Sequence, residues 1–129
     1  MKREEEAIER GTIINGWSGG QRGRGVAQYY VVISDAADHG LKGPLVCLGI
    51  STQIAEPPGE EAVMLAYHPN PKMRPGTGLA RRCGVIVDWA VAVEQADVNN
   101  RAVGRVSAKL MREIFKKVAE RQERGGGKA

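Results

Sequence analysis

The sequence is poor in aromatic, histidine and cysteine residues, and it has no long hydrophobic run. Aromatic residues make up 5% of the 129 residues, and there are only two histidines and two cysteines. No stretch approaches the roughly 18 apolar residues of a membrane-spanning helix. The first residues also lack the apolar segment of a signal peptide. We therefore expect a cytoplasmic protein with no membrane partner.

The scarce metal-binding residue types are also badly spaced for a metal site. Cys47, Cys83, His39 and His68 form no Cys-x-x-Cys or His-x-x-x-His pattern. Both cysteines lie in apolar runs, which favours small buried hydrophobic residues over a disulfide or a ligand. We expect no metal and no cofactor.

Several catalytic motifs are missing as well. No Gly-x-Gly-x-x-Gly joins a strand to a helix, and no Gly-Lys-Ser/Thr occurs, which excludes the common kinase, ATPase and dehydrogenase classes. Without a Gly-x-Ser-x-Gly elbow, a serine hydrolase has no motif to support it.

Glycine and basic residues are the features present in excess. Seventeen glycines exceed the usual fraction of about 7% and favour short strands joined by turns over a helical bundle. The net charge is +4, yet nine Lys/Arg and three Glu lie from Arg101 onward, so the remainder is slightly acidic. Because the basic excess is C-terminal, it raises the nucleic-acid hypothesis only modestly.

Hydrophobic patterning predicts strands first and one long helix last. A polar helical turn is expected at Glu4–Glu9, and a Gly-rich loop between the first two strands, from Gly16 to Gly25. The predicted strands are Thr12–Ile14, Gln28–Ser34, Pro44–Ile50, Ala62–Tyr67 and Cys83–Val93. The apolar rhythm from Leu110 to Val118 predicts an amphipathic helix from Ser107 to Arg124, with Ser107 as N-cap. These elements make a small α+β domain whose sheet curls into a partly closed barrel.

A series of short motifs runs along most of the chain, from about Arg10 to Val118. The motifs are Arg10-Gly11, the Gly/Gln/Arg loop, Val31-Val32-Ile33-Ser34, Ser51-Thr52-Gln53, Asp88 and Gly104-Arg105-Val106-Ser107. Their order and spacing resemble the PemK/MazF family. The resemblance implies an SH3-like β-barrel of about five to seven strands at residues 10–124 with an amphipathic C-terminal helix. Residues 1–9 would be a polar extension and residues 125–129 a flexible Gly-rich tail.

The same resemblance implies a function and partners. It predicts the toxin of a type II toxin–antitoxin system, a metal-independent endoribonuclease that cuts single-stranded RNA. The expected partners are that RNA, a cognate antitoxin protein and a second copy of the chain in a homodimer.

Metal-free RNA cleavage sets chemical requirements for the site. The ribose 2′-hydroxyl is the nucleophile, so the protein must help remove its proton, protonate the leaving 5′-oxygen and stabilise a phosphorane. In the family, an Arg-Pro pair before the second strand and a Ser or Thr after the third strand serve these needs. Ser51, with Thr52, matches the hydroxyl position. Gln28 and Tyr29 stand where Arg and Pro are expected, so we expect Arg24 of the Gly-rich loop to supply the catalytic cation.

Other polar and aromatic residues are expected to bind substrate. They are Trp17, Gln21, Arg22, Gln28, Gln53 and Asp88. Some of the expected site residues have a structural alternative: Ser51 and Thr52 can simply turn the chain, and Trp17 can cover the open end of the barrel.

Two other functions stay open because Gln28 cannot give a guanidinium's grip on phosphate. One alternative is a non-enzymatic toxin that acts by binding a target, like the CcdB-like toxins on the same barrel. The other is an accessory domain that has lost toxicity.

Overall fold

The structure is a computed structural model that describes residues 6–19 and 25–126. Six strands and two α-helices form its regular elements. The strands are β1 (Thr12–Gly16), β2 (Gln28–Val32), β3 (Leu45–Ser51), β4 (Ala62–Leu65), β5 (Cys83–Val93) and β6 (Val98–Arg105). The helices are α1 (Ala36–His39) and α2 (Ala108–Gly126), with short 3-10 turns at Pro71–Met73 and Gln95–Asp97. No helix in the described ranges is long and apolar enough to cross a membrane.

The six strands form one antiparallel sheet that curls without closing completely. Its spatial order is β4-β5-β3-β2-β1-β6. The 11-residue β5 pairs with both β3 and β4, and the β3–β5 register shifts between Leu48 and Ile50. Such an irregularity bends a sheet and increases its twist. The predicted α+β class and partly closed barrel are confirmed.

Both faces of the sheet are buried around its central strands, which explains why β2 and β3 are largely continuous apolar runs. Ile13 and Val31 belong to a cluster beneath α2, whereas their neighbours Ile14, Tyr30 and Val32 belong to a second cluster on the other face. This division follows from the alternation of side chains along a strand.

The C-terminal helix α2 covers the first cluster. Met111 and Ile114 are buried, and Leu110, Phe115 and Val118 pack partly against the same cluster. Ser107 Oγ accepts a hydrogen bond from the Leu110 N–H at 3.2 Å, which confirms the predicted N-cap.

The sequence prediction missed β6 and misassigned the segment before β1. Asn99 and Asn100 are exposed on this edge strand, so β6 has no apolar alternation to reveal it. Residues 6–9 are not helical, contrary to the expected helical turn; Glu4 and Glu5 lie outside the described residues. Ile8 is instead buried against the second cluster, where its carbonyl oxygen lies 2.6 Å from His39 Nε2.

Candidate functional site

The end of β3 and the start of β2 border a cleft of about 630 Å³. We call it the β2–β3 cleft. Its lining residues are Val26, Ala27, Gln28, Tyr29, Ile50, Ser51, Thr52, Gln53, Leu79, Ala80, Arg81, Cys83 and Trp89. Four predicted site residues are therefore brought together here: Gln28, Ser51, Thr52 and Gln53.

Strand pairing explains why these residues meet although they are distant in sequence. Tyr30 of β2 pairs with Gly49 of β3, and the two strands are antiparallel. The first residues of β2 therefore lie beside the last residues of β3. Across β3, Ser51 pairs with Gly84 of β5, which brings in the segment before β5 as the third side of the cleft.

Ser51 combines a local structural bond with an available donor. Its Oγ accepts a hydrogen bond from the Gln53 N–H at 3.0 Å, which supports the turn after β3. A hydroxyl that accepts one bond still has its own proton to donate. Ser51 is half-buried, whereas Thr52 and Gln53 are exposed to solvent. The turn role and a donor role are therefore compatible.

Trp89 forms an aromatic wall of the cleft. Its ring lies directly over Gly49, where an added Cβ would come within 1.9 Å of Trp89 Cε3. Tyr30 meets the same ring edge-on, with centroids 5.8 Å apart and planes at 65°. Tyr29 is 43% exposed and also lines the cleft. Flat aromatic surfaces of this kind can stack on unpaired bases.

A second cavity of about 430 Å³ adjoins the β2–β3 cleft and contains Trp17. Val26, Gln28 and Trp89 line both spaces. Trp17 Nε1 donates a hydrogen bond to the Gly25 carbonyl oxygen at 3.3 Å, which holds the indole beside the end of the Gly-rich segment. Trp17 thus lies next to the predicted site but is not part of the same cavity.

Asp88 does not line the cleft. Both of its carboxylate oxygens accept hydrogen bonds from Arg121 of α2, at 2.6 and 2.5 Å. The bond to Asp88 raises the pKa of Arg121. The neighbouring Trp89 packs with the cluster on the other face of the sheet. Asp88 therefore links β5 to α2, away from Ser51.

Three predicted site residues, Gln21, Arg22 and Arg24, lie outside the described residues. Arg24 directly precedes Gly25 in sequence, and Gly25 lines the Trp17 cavity.

The structure adds one residue that sequence reasoning missed. Arg81 is exposed and lines the β2–β3 cleft. It precedes β5 by two residues and lies 30 positions beyond Ser51 in the chain, so only the β3–β5 pairing indicates their proximity. The local feature that could have drawn attention to Arg81 is the pair of consecutive arginines, Arg81 and Arg82, just before a predicted strand.

Cysteine and metal chemistry find no support in the part of the chain that the structure describes. Cys47 and Cys83 are buried free thiols, which confirms the predicted burial. Burial raises the pKa of Cys47 to about 12 and raises that of Cys83, which also lines the cleft. A thiol with a raised pKa is a poor nucleophile. No three His, Cys, Asp or Glu side chains gather into a possible metal site among the described residues.

Comparison with protein-family models and with curated proteins finds no match for this chain. Solved structures do match. One is an endoribonuclease in complex with its cognate antitoxin from a mycobacterial species, at 18% identity and TM-score 0.65, covering 88% of this chain and 93% of that chain. Another is MazF from Deinococcus radiodurans in form I, at 15% identity and TM-score 0.66, covering 91% and 97%. A third is MazE–MazF from the same organism in form II, also at 15% and 0.66, covering 88% and 93%. The chain thus has a MazF-like fold.

Proposed function

We propose that this chain is the toxin of a type II toxin–antitoxin pair and cleaves single-stranded RNA without a metal ion. The observation that carries the proposal is the β2–β3 cleft, where the Ser51 and Thr52 hydroxyls lie beside an aromatic wall. A MazF-like fold supports it, because solved neighbours include an endoribonuclease bound to its cognate antitoxin.

The reaction is an internal transfer at phosphorus. The ribose 2′-hydroxyl loses its proton to solvent water and its oxygen bonds to phosphorus. The bond between phosphorus and the 5′-oxygen breaks, and that oxygen takes a proton from solvent water. Ser51 and Thr52 donate hydrogen bonds to the phosphoryl oxygens, where negative charge builds up in the phosphorane. Arg24, next to Gly25, is the proposed loop cation, with Arg22 and Gln21 as further phosphate contacts.

Single-stranded RNA fits the surfaces around these hydroxyls. Unpaired bases can be splayed out and stacked on aromatic rings, which a duplex does not permit. We propose that bases stack on Trp89 and Tyr29, which line the cleft, and on Trp17, which lines the adjoining cavity. Gln28 and Gln53 offer amide donors and acceptors for base edges. Asp88 is left out of this set because its carboxylate binds Arg121.

Two protein partners belong to the same proposal. The neighbouring MazE–MazF and endoribonuclease–antitoxin structures are complexes, so we propose a cognate antitoxin for this chain. We also propose a homodimer, as the PemK/MazF resemblance implies, and action in the cytoplasm.

The direct test is digestion of a long single-stranded RNA by the purified protein in EDTA. We expect the wild type to cut, and Ser51→Ala combined with Thr52→Ala to lower kcat/KM by about 10²-fold, the usual cost of losing a transition-state donor. Ser107→Ala removes a hydroxyl at the α2 N-cap and serves as the matched control, with the assay run where both variants remain folded. Intact RNA with the wild type would contradict the nuclease and leave the binding-module alternative.

A further inference from the structure

Two consecutive arginines before β5 are used in different ways. Arg82 donates hydrogen bonds to the carbonyl oxygens of Ile54 at 2.8 Å and Ala55 at 3.0 Å, and it forms an ion pair with Glu56 at 3.3 Å. Its guanidinium fastens the segment after β3. Arg81, in contrast, is exposed, and its side chain makes no hydrogen bond or ion pair with another residue in the described ranges. Its guanidinium faces solvent at the cleft.

The charges around Arg81 favour an anionic ligand. Among the described residues that line the β2–β3 cleft, Arg81 is the only charged side chain. The nearby Glu56 is already paired with Arg82. A guanidinium in the same cleft as the Ser51 and Thr52 hydroxyls offers the positive charge and the paired N–H donors that phosphate oxygens accept.

Strand pairing puts Arg81 at the same end of the sheet as the Ser51 hydroxyl. Ser51 pairs with Gly84, three residues after Arg81, so the guanidinium and the Ser51 hydroxyl belong to neighbouring strand ends. Gln28 lines the same cleft and carries no charge. The cleft therefore has its hydroxyl donors on β3 and its cation on the segment before β5.

We propose that Arg81 is a catalytic residue whose guanidinium contacts the scissile phosphate of the RNA. This inference rests on the proposed function and adds a second cation to Arg24. As the 2′-oxygen bonds to phosphorus and the bond to the 5′-oxygen breaks, Arg81 stabilises the charge that develops on the phosphoryl oxygens. The 2′-hydroxyl proton passes to solvent water and the 5′-oxygen takes a proton from solvent water, so the step consumes no oxidant, reductant or other co-reactant.

The test compares cleavage and binding in the full-length protein. Cleavage of single-stranded RNA in EDTA gives kcat/KM, and the same sequence with 2′-O-methyl groups, which cannot react, gives the dissociation constant. We expect Arg81→Ala to lower kcat/KM by about 10²-fold while weakening binding by less than tenfold. Arg81→Lys should cleave faster than Arg81→Ala but more slowly than the wild type. Lysine keeps the positive charge but lacks the paired N–H donors of the guanidinium. The melting temperature should not change, since Arg81 is exposed.

Arg112→Ala is the matched control, because it removes an exposed arginine of α2 that does not line the cleft. Its rate should equal that of the wild type. If the wild type cuts and Arg81→Ala cuts equally fast, the Arg81 assignment is overturned while the nuclease stands. Equal fold losses in RNA binding and in kcat/KM would show that Arg81 only binds RNA, and would also overturn its assignment as a catalytic residue. If the wild type leaves RNA intact, the proposed nuclease function is wrong, and the catalytic role of Arg81 that rests on it is wrong as well.

Discussion

At the scale of single residues, the position of the Trp89 ring depends on the absence of a side chain at Gly49. A Cβ at Gly49 would lie 1.9 Å from Trp89 Cε3 and 2.1 Å from Cδ2. Both atoms belong to a rigid ring that also contacts Tyr30. Glycine at this position therefore allows the aromatic wall to lie flat on β3.

We predict that Gly49→Ala lowers the free energy of unfolding by about 1–3 kcal/mol, the usual cost of overpacking. It should also slow RNA cleavage, because the displaced indole no longer forms the wall of the cleft. Urea denaturation measures the first effect. Gly76→Ala is the control, since a Cβ there meets nothing within 4 Å; equal stability losses in both variants would contradict the account.

The Cys47 thiol should resist chemical modification in the folded protein. Its pKa of about 12 exceeds that of an unfolded cysteine, about 8.5, so the folded state retains the proton that the unfolded state releases. Stability from this group is therefore fully present below about pH 8.5 and falls as pH rises toward 12. Iodoacetamide labelling at pH 8, located by peptide mass, should leave Cys47 unmodified until urea is added. Equal labelling without urea would contradict this.

Residues that belong to strand ends could be predicted from sequence, whereas residues that depend on sheet pairing could not. Ser51 and Gln28 end and begin continuous apolar runs, so their place is visible in the sequence. Arg81 reaches the cleft only through the pairing of β5 with β3. Asp88 was expected at the site, yet a partner from α2 holds it elsewhere. Long-range pairing leaves no local signal.

At the scale of elements, α2 is held by a few buried side chains rather than by its whole apolar stripe. Ile114 is fully buried, whereas Leu110, Phe115 and Val118 are only partly buried. The Asp88–Arg121 ion pair is exposed on the protein surface. Exposed ion pairs contribute about 0–1 kcal/mol, so apolar packing dominates the attachment of α2.

We predict that Ile114→Ala lowers the free energy of unfolding by about 2–4 kcal/mol, from lost burial and the cavity left behind. Lys116→Ala, on the exposed side of α2, should change it by less than about 0.5 kcal/mol. Guanidinium denaturation followed by circular dichroism measures both. Similar values for the two variants would show that α2 is not docked as described.

Strands and helices were predicted correctly where the apolar pattern was strong, but the edge strand β6 was missed. The bounds of β5 and the start of α2 agree with the sequence pattern. Strand β6 has polar and small residues and, among the strands that the structure describes, pairs only with β1. Its last residue is held by an N–H bond from Arg105 to the Gly76 carbonyl oxygen at 2.8 Å. Backbone hydrogen bonds of this kind do not require particular side chains, so the sequence does not reveal them.

At the scale of the whole molecule, the net charge and the proposed RNA site are separate. The +4 charge comes from the C-terminal part, whereas the described lining of the β2–β3 cleft holds one charged residue. We predict that Lys109→Gln with Lys116→Gln changes RNA affinity less than twofold, although it lowers the net charge by two. Fluorescence anisotropy with 2′-O-methyl RNA at fixed salt measures this, and a loss above about tenfold would place RNA on α2.

The central claim is that the chain cuts RNA through the ribose 2′-hydroxyl without a metal. The most direct measurement exposes one single-stranded sequence, as RNA and as DNA, to the purified protein in EDTA and identifies the product ends. We expect that the RNA alone is cut, leaving a 2′,3′-cyclic phosphate on one fragment and a 5′-hydroxyl on the other. Intact RNA, or DNA cut as readily as RNA, would contradict it.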